Sequence, residues 1–183
     1  LEFDLDSGML RTLAVLRSPE GIALARDGSL FVAEDQVNGR IVRVRANGQV
    51  EVYIGGLNRP EGICLGKDDV LYIAETATGR VLSYRAGVMR TVIEDLDEPD
   101  HVKLGPDGSL WITEGTSPGR LLRLRDGKLD VIASGLAVPQ GIAFANNGQV
   151  LIAEQGRNRI LAVMPDTVGK ERRTPLGRST SLR

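Results

Sequence analysis

Four oxygen-bearing side chains follow a proline at nearly constant spacing in this sequence: Glu20 after Pro19, Glu61 after Pro60, Asp100 after Pro99 and Gln140 after Pro139. The prolines are 41, 39 and 40 residues apart. His101, the only histidine of the chain, comes directly after Asp100. Collected at one place, such a set suits a hard divalent cation, Ca²⁺ foremost with Mg²⁺ beside it, because these ions take oxygen ligands; Zn²⁺ or Mn²⁺ enter if His101 joins. Without a cation the carboxylates would repel one another unless protons or water intervened. The plainer alternative is that they satisfy strand-end amides and water in a wet channel.

The elements that must position these groups are read from the repeat around them. Four segments align without a gap: PEGIALARDGSLFVAE from Pro19, PEGICLGKDDVLYIAE from Pro60, PDHVKLGPDGSLWITE from Pro99 and PQGIAFANNGQVLIAE from Pro139. An apolar run led by Arg40, Arg80, Arg120 or Arg159 follows each. Within the first unit, Ile22-Ala23-Leu24 and Leu30-Phe31-Val32-Ala33 are strands joined at Asp27-Gly28, residue types that tolerate positive φ in a hairpin. The Arg40 run is a third strand, and Asn47-Gly48 turns it into Val50-Glu51-Val52-Tyr53-Ile54, whose alternation suits an outer strand with one wetter face. No stretch shows a sustained helical period, so helix content should be close to nil. Four antiparallel strands per unit of about 40 residues describe a blade of a β-propeller, an all-β architecture in which each blade covers its neighbours. Its innermost strands line a central channel, which would aim Glu20, Glu61, Asp100 and Gln140 at one axis.

The units run over 18–57, 58–96 and 97–136, with partial ones at 1–17 and 137–165. About four and a half blades are thus expected, reading as a fragment of a longer, six-bladed ring, and the chain opens on Leu1 without an initiator Met. An open arc would expose apolar blade faces and strand edges and invite self-association. Residues 166–183 leave the repeat; from 168 onward they carry five basic residues and one acid, and they are expected to be poorly ordered. That leaves 18 basic against 23 acidic residues in 1–167, which argues against a nucleic-acid surface. No apolar run is long enough to span a membrane. Glycine, at 22 of 183 residues, is roughly 12% against a typical ~7% and fits evenly spaced turns. The single cysteine, Cys64, excludes an intrachain disulfide and a paired-thiolate metal motif. The compartment stays open, with the cytoplasm favoured.

Pro-Glu-Gly-Ile at 19–22 and 60–63, Leu71-Tyr72-Ile73-Ala74-Glu75-Thr76, and Pro106-Asp107-Gly108-Ser109-Leu110-Trp111 carry a resemblance. Over about residues 1–165 the sequence resembles six-bladed propellers of the senescence-marker-protein/gluconolactonase (regucalcin-like) family and the related NHL-repeat and strictosidine-synthase-like proteins. Leu110-Trp111-Ile112-Thr113-Glu114 is also similar to the streptogramin lyases. The gluconolactonase resemblance implies metal-dependent hydrolysis of a sugar lactone or related ester. The metal would be held by carboxylates in Glu-Gly and Pro-Asp-Gly settings, which Glu20, Glu61 and Asp100 match, with Asp100 as the base. The departures are that no Asn occupies these positions, that Gln140 is longer, and that His101 replaces the glycine after Asp100. His101 is a second candidate base, since an unperturbed imidazole titrates near neutrality. The alternatives are a non-enzymatic NHL-type propeller that binds a protein or small ligand, and a streptogramin-lyase-like enzyme, for which one histidine leaves little.

Glu34, Glu75, Glu114 and Glu154 close the second strands, five or six residues before Arg40, Arg80, Arg120 and Arg159. Repetition in every unit points to Glu–Arg bridges that clamp the intervening loop. Trp111, aligned with Phe31, Tyr72 and Leu151, reads as packing between blades. Cys64, aligned with Ala23 and Ala143, reads as a small buried hydrophobe rather than a nucleophile. No GxSxG elbow supports serine hydrolysis.

Overall fold

The computed structural model describes residues 2–3 and 8–164. Alternation in the apolar runs produces strands, and the strands form successive antiparallel meanders. After β1 (Glu2–Phe3) and β2 (Leu10–Arg11), which pair with each other, the first blade comprises β3 (Pro19–Leu24), β4 (Leu30–Glu34), β5 (Gly39–Val44) and β6 (Val50–Leu57). The second contains β7 (Pro60–Leu65), β8 (Leu71–Glu75), β9 (Arg80–Arg85) and β10 (Val88–Ile93). The third contains β11 (Pro99–Leu104), β12 (Leu110–Glu114), β13 (Gly119–Arg125) and β14 (Lys128–Leu136). The fourth shows β15 (Pro139–Phe144), β16 (Val150–Glu154) and β17 (Arg159–Val163). The chain is all-β with the blades in a propeller arrangement, and helix is confined to three short 3₁₀ turns among the described residues. None is long and apolar enough to cross a membrane. The expectation for 166–183 lies outside the described residues.

Second strands are covered on both faces. Phe31 and Ala33 join Ile41 against Ile63, Leu71 and Ile73 of the second blade, and Ala74 and Val81 meet Val102, Leu110 and Ile112 of the third. Trp111 and Leu121 meet Ile142, Val150 and Ile152 of the fourth. The cores therefore lie between blades, each side chain of this kind contributing about 1.5–3 kcal/mol on burial. Trp111 stacks edge-on to Phe144 at 5.9 Å, so it does pack between blades. The outer strand β6 leaves Val50 and Val52 exposed, as its alternation predicts.

In the inner hairpins of the first and third blades the positive φ falls on glycine, at Gly28 (81°) and Gly108 (81°), whereas in the second Asp68 and Asp69 take it, at 57° and 58°. Asp27 and Asp107 instead accept the Ser29 and Ser109 N–H at 3.0 and 3.1 Å. Their polar side chains fix the turn rather than tolerate a left-handed backbone.

Candidate functional site

Each inner strand begins with a β-bulge. Pairing runs from Pro19–Glu34 to Ile22–Val32, from Pro60–Glu75 to Ile63–Ile73 and from Pro139–Glu154 to Ile142–Ile152, so two residues face one on the second strand. In the third blade the shift comes between Pro99 and His101. The residues in these bulges are the ones singled out by their spacing. A bulge re-aims its side chains, and Glu20, Glu61, Asp100, His101 and Gln140 all line one cavity of about 340 Å³.

The loops that hold the bulges in place are stapled identically in every blade. The residue before each proline, Ser18, Arg59, Glu98 or Val138, has φ between 42° and 51°. Its carbonyl accepts an N–H from Asp35, Thr76, Gly115 or Gln155 at 2.9–3.0 Å. The buried Glu at the end of the second strand accepts a backbone N–H seventeen residues earlier: Arg17 at Glu34, Asn58 at Glu75 and Asp97 at Glu114, each at 2.9 Å, and Ala137 at Glu154, at 2.8 Å. It also holds the expected arginine, Arg40 on Glu34, Arg80 on Glu75 at 2.5 Å, Arg120 on Glu114 at 2.6 Å and Arg159 on Glu154, with Thr78 added at Glu75 and Arg157, at 2.6 Å, at Glu154. These pairs clamp the channel-side loop as well as the loop between Glu and Arg. Burial pushes the Glu34 and Glu75 carboxyls up, but Arg40 and the Arg17 N–H at the first, and Thr78, the Asn58 N–H and Arg80 at the second, outweigh it and hold both below the usual range. Arg159 holds Glu154 down to about 2.

Within the cavity, Gln140 Nε2 donates to Asp100 Oδ2 at 2.7 Å, and His101 Nδ1 lies 3.9 Å from Asp100 Oδ1. The Glu61 and Asp100 carboxyls, from adjacent blades, are hydrogen-bonded to each other; burial and the neighbouring Asp100 charge push Glu61 up to about 7. Burial raises Asp100 as well. Both carboxyls are thus pushed toward their protonated forms. Burial lowers His101, so its imidazole is neutral at pH 7. Glu20 stands exposed at the rim.

Two residues that the spacing did not single out complete the cavity wall. Arg59 Nη2 donates to Glu61 Oε1 at 2.8 Å, and its Nε donates to Asp35 Oδ1 at 3.1 Å. Both occupy positions whose residue type changes from blade to blade, so the repeat hides them; the signal was that only Arg59 among the pre-proline residues is a cation. Cys64 is half-buried, and burial pushes its thiol up to about 12, consistent with an inert side chain.

The glycine that follows Glu20 and Glu61 has an ordinary φ and serves close approach. A Cβ on Gly21 would lie 2.3 Å from the Glu61 carbonyl oxygen, and one on Gly62 would lie 2.5 Å from that of Asp100. His101 therefore marks a departure from tight inner-strand packing, and its ring lines the cavity.

The donor set is hard and oxygen-rich, with the Glu61 and Asp100 carboxyls side by side in the cavity, so in kind it fits a cation such as Ca²⁺ or Mg²⁺. Among the described residues no group of three His, Cys, Asp or Glu converges closely enough to complete a coordination sphere. Glu61 and Asp100 supply two donors, and Arg59 competes for the first of them.

The sequence matches no protein-family model and no curated protein. Solved structures share its fold. A gluconolactonase from Xanthomonas campestris is 20% identical with a TM-score of 0.70, over 79% of this chain and 57% of that one. Virginiamycin B lyase from Staphylococcus aureus, as a catalytically inactive variant with quinupristin, is 22% identical with a TM-score of 0.68, over 80% and 52%. The PQQ-bound aldose sugar dehydrogenase from Streptomyces coelicolor is 22% identical with a TM-score of 0.72, over 85% and 63%. The chain thus spans less than two thirds of each. These likenesses establish a propeller fold that carries several chemistries.

Proposed function

We propose that this chain contributes the reaction centre of a lactonase-type hydrolase, part of a six-bladed ring that opens a sugar lactone or related ester with the help of a divalent cation. The observation that carries the reading is the pair of half-buried carboxyls, Glu61 and Asp100, placed by adjacent blades beside the His101 imidazole in one cavity. The gluconolactonase and the aldose sugar dehydrogenase that share the fold are both named for sugar-derived substrates, which supports a polyhydroxylated ligand.

Glu61 and Asp100 would hold the cation, with Glu20 and the Gln140 amide oxygen within the same cavity. Such a cation polarises an ester carbonyl and makes a nearby water more acidic. With Nδ1 nearer Asp100, His101 would take the proton of the attacking water at Nε2 and return it to the ring oxygen as the acyl C–O bond breaks. Gln140 keeps Asp100 oriented through its 2.7 Å hydrogen bond. Arg59, bound to Glu61 from the rim, offers a guanidinium to the carboxylate product.

A thermal-shift titration with Ca²⁺, Mg²⁺, Mn²⁺ and Zn²⁺, alongside a lactone-opening assay on a panel of aldonolactones, tests the reading. Stabilisation by Ca²⁺ that disappears in Asp100→Ala is expected. The absence of a response to every cation, with no lactone opening, would leave a non-enzymatic ligand-binding propeller as the better account. A lyase reading gains only if His101→Ala abolishes elimination from a cyclic ester while the chain stays indifferent to lactones.

A further inference from the structure

The third and fourth blades form a second cavity, of about 160 Å³, between their inner hairpins. It lies at the far end of β15 from the channel mouth: Gln140 lines the first cavity, and Phe144 lines this one. Trp111, Ala145 and Val150 add to its apolar wall, and Arg123 is the cation in it. The Arg123 side chain is 13% exposed, with Nη2 3.6 Å from Asp130 Oδ2 and the guanidinium 5.5 Å from the centre of the Trp111 ring. Its Nε is buried and has no hydrogen-bond partner among the described residues. Asp130 is itself taken by Lys128 at 2.7 Å. The first blade shows what completes such an arginine. Arg43 stands opposite Phe31 as Arg123 stands opposite Trp111. Arg43 donates from Nε to Ser29 Oγ at 2.9 Å and from Nη2 to Asp27. In the third blade Trp111 Nε1 takes the equivalent hydroxyl, Ser109 Oγ, at 2.8 Å, and Ser109 donates to Asp107. Tryptophan in place of phenylalanine thus leaves Arg123 without its acceptor at the wall of a cavity.

We propose that this cavity binds a compact monocarboxylate with a branched or cyclic hydrocarbon body. The carboxylate supplies the acceptor that Arg123 lacks, since a guanidinium pairs with that group through parallel N–H···O bonds. The hydrocarbon body lies against Phe144, Ala145 and Val150. The volume equals that of about five water molecules at roughly 30 Å³ each, which admits a body of about four to six carbons and excludes a nucleotide or a disaccharide. Asp107, the carboxylate in the wall, accepts from Ser109 and lies 3.7 Å from Arg125, so its charge is already countered. A polyhydroxylated acid fits poorly, because its hydroxyls would stand unpaired against the apolar wall. The ligand class therefore differs from that of the channel mouth, and the site stands independently of the hydrolase reading. The junction that forms it is closed by packing from both blades, with Trp111 and Leu121 against Ile142, Val150 and Ile152.

Trp111 is the one tryptophan of the chain, so its emission reports on this cavity. The test titrates the full chain with sodium isovalerate, isovaleramide and sodium acetate at constant ionic strength, following emission and calorimetric heat. Isovalerate is expected to saturate with a midpoint of about 1 mM or below. The amide, which lacks the charge, and acetate, which lacks the hydrocarbon body, should each bind at least tenfold more weakly. Arg123→Met keeps an unbranched side chain on Trp111 and should weaken isovalerate at least tenfold. Arg43→Met removes the arginine whose partners are already in place and should leave the titration unchanged. Circular dichroism shows whether each variant is folded, and Ala145→Leu, which fills the cavity from its other wall, should abolish binding whether or not Arg123→Met folds. The proposal is overturned by a full chain with no saturable signal up to about 50 mM, by an amide that binds as tightly as the acid, or by a folded Arg123→Met or Ala145→Leu variant that titrates like the full chain.

Discussion

Glu61 and the clamp glutamates respond to pH with opposite signs. Glu61 titrates at about 7 against an ordinary 4.5 because burial and Asp100 disfavour its charge. The folded state thus holds a proton that the unfolded chain releases; this stabilisation is complete below about pH 4.5 and is lost as pH rises through about 7. Glu61→Gln, which keeps a donor for Asp100 and removes the charge, is expected to raise Tm at pH 8 and leave it unchanged at pH 4.5 when thermal unfolding is followed in EDTA. The increase should be about 2–4 °C, as for roughly 1 kcal/mol in a domain of this size after solvent screening at the cavity mouth. Glu34, Glu75 and Glu154 are lowered, so their stabilisation is present above about pH 4.5 and fades as pH falls toward 2. Acid unfolding followed by circular dichroism should begin in that window, and Glu75→Gln should flatten it. Arg120→Ala leaves the buried Glu114 carboxylate short of its partner and is expected to cost about 3 kcal/mol in urea denaturation.

The bulged inner strand is the element that turns a repeated scaffold into a site. Its first residues face the channel because two of them oppose one residue of the second strand, and its glycine lets the next inner strand come close. Gly62→Ala forces a methyl group to within 2.5 Å of the Asp100 carbonyl oxygen, so it should cost about 1–3 kcal/mol and blunt any cation response by displacing Asp100. Gly141→Ala meets nothing within 4 Å and should leave the stability of a single copy unchanged. If both variants cost the same in denaturant, close approach is not what the glycine provides.

Stability over the whole molecule should follow the same logic, since each blade is held by its neighbours. The second and third blades are covered on both faces, whereas the first leaves Ile22 open and the fourth Ile160. Hydrogen exchange at low concentration is therefore expected to be slowest in β8 and β12 and fastest in β3 and β17. A uniform protection profile would mean that all blades open as one unit. The sequence by itself determined the strands, their meander, the period of the blades and the Glu–Arg clamps, because alternation, turn residues and a repeated buried pair act over short stretches of chain and recur. It also picked out Glu20, Glu61, Asp100, His101 and Gln140 as a group through their place after each proline. Only the tertiary structure decided that burial pushes Glu61 and Asp100 up and His101 down, and that Arg59 and Asp35 close the wall. Those properties come from burial and from distances between side chains on different blades, about 40 residues apart, and no local pattern encodes them.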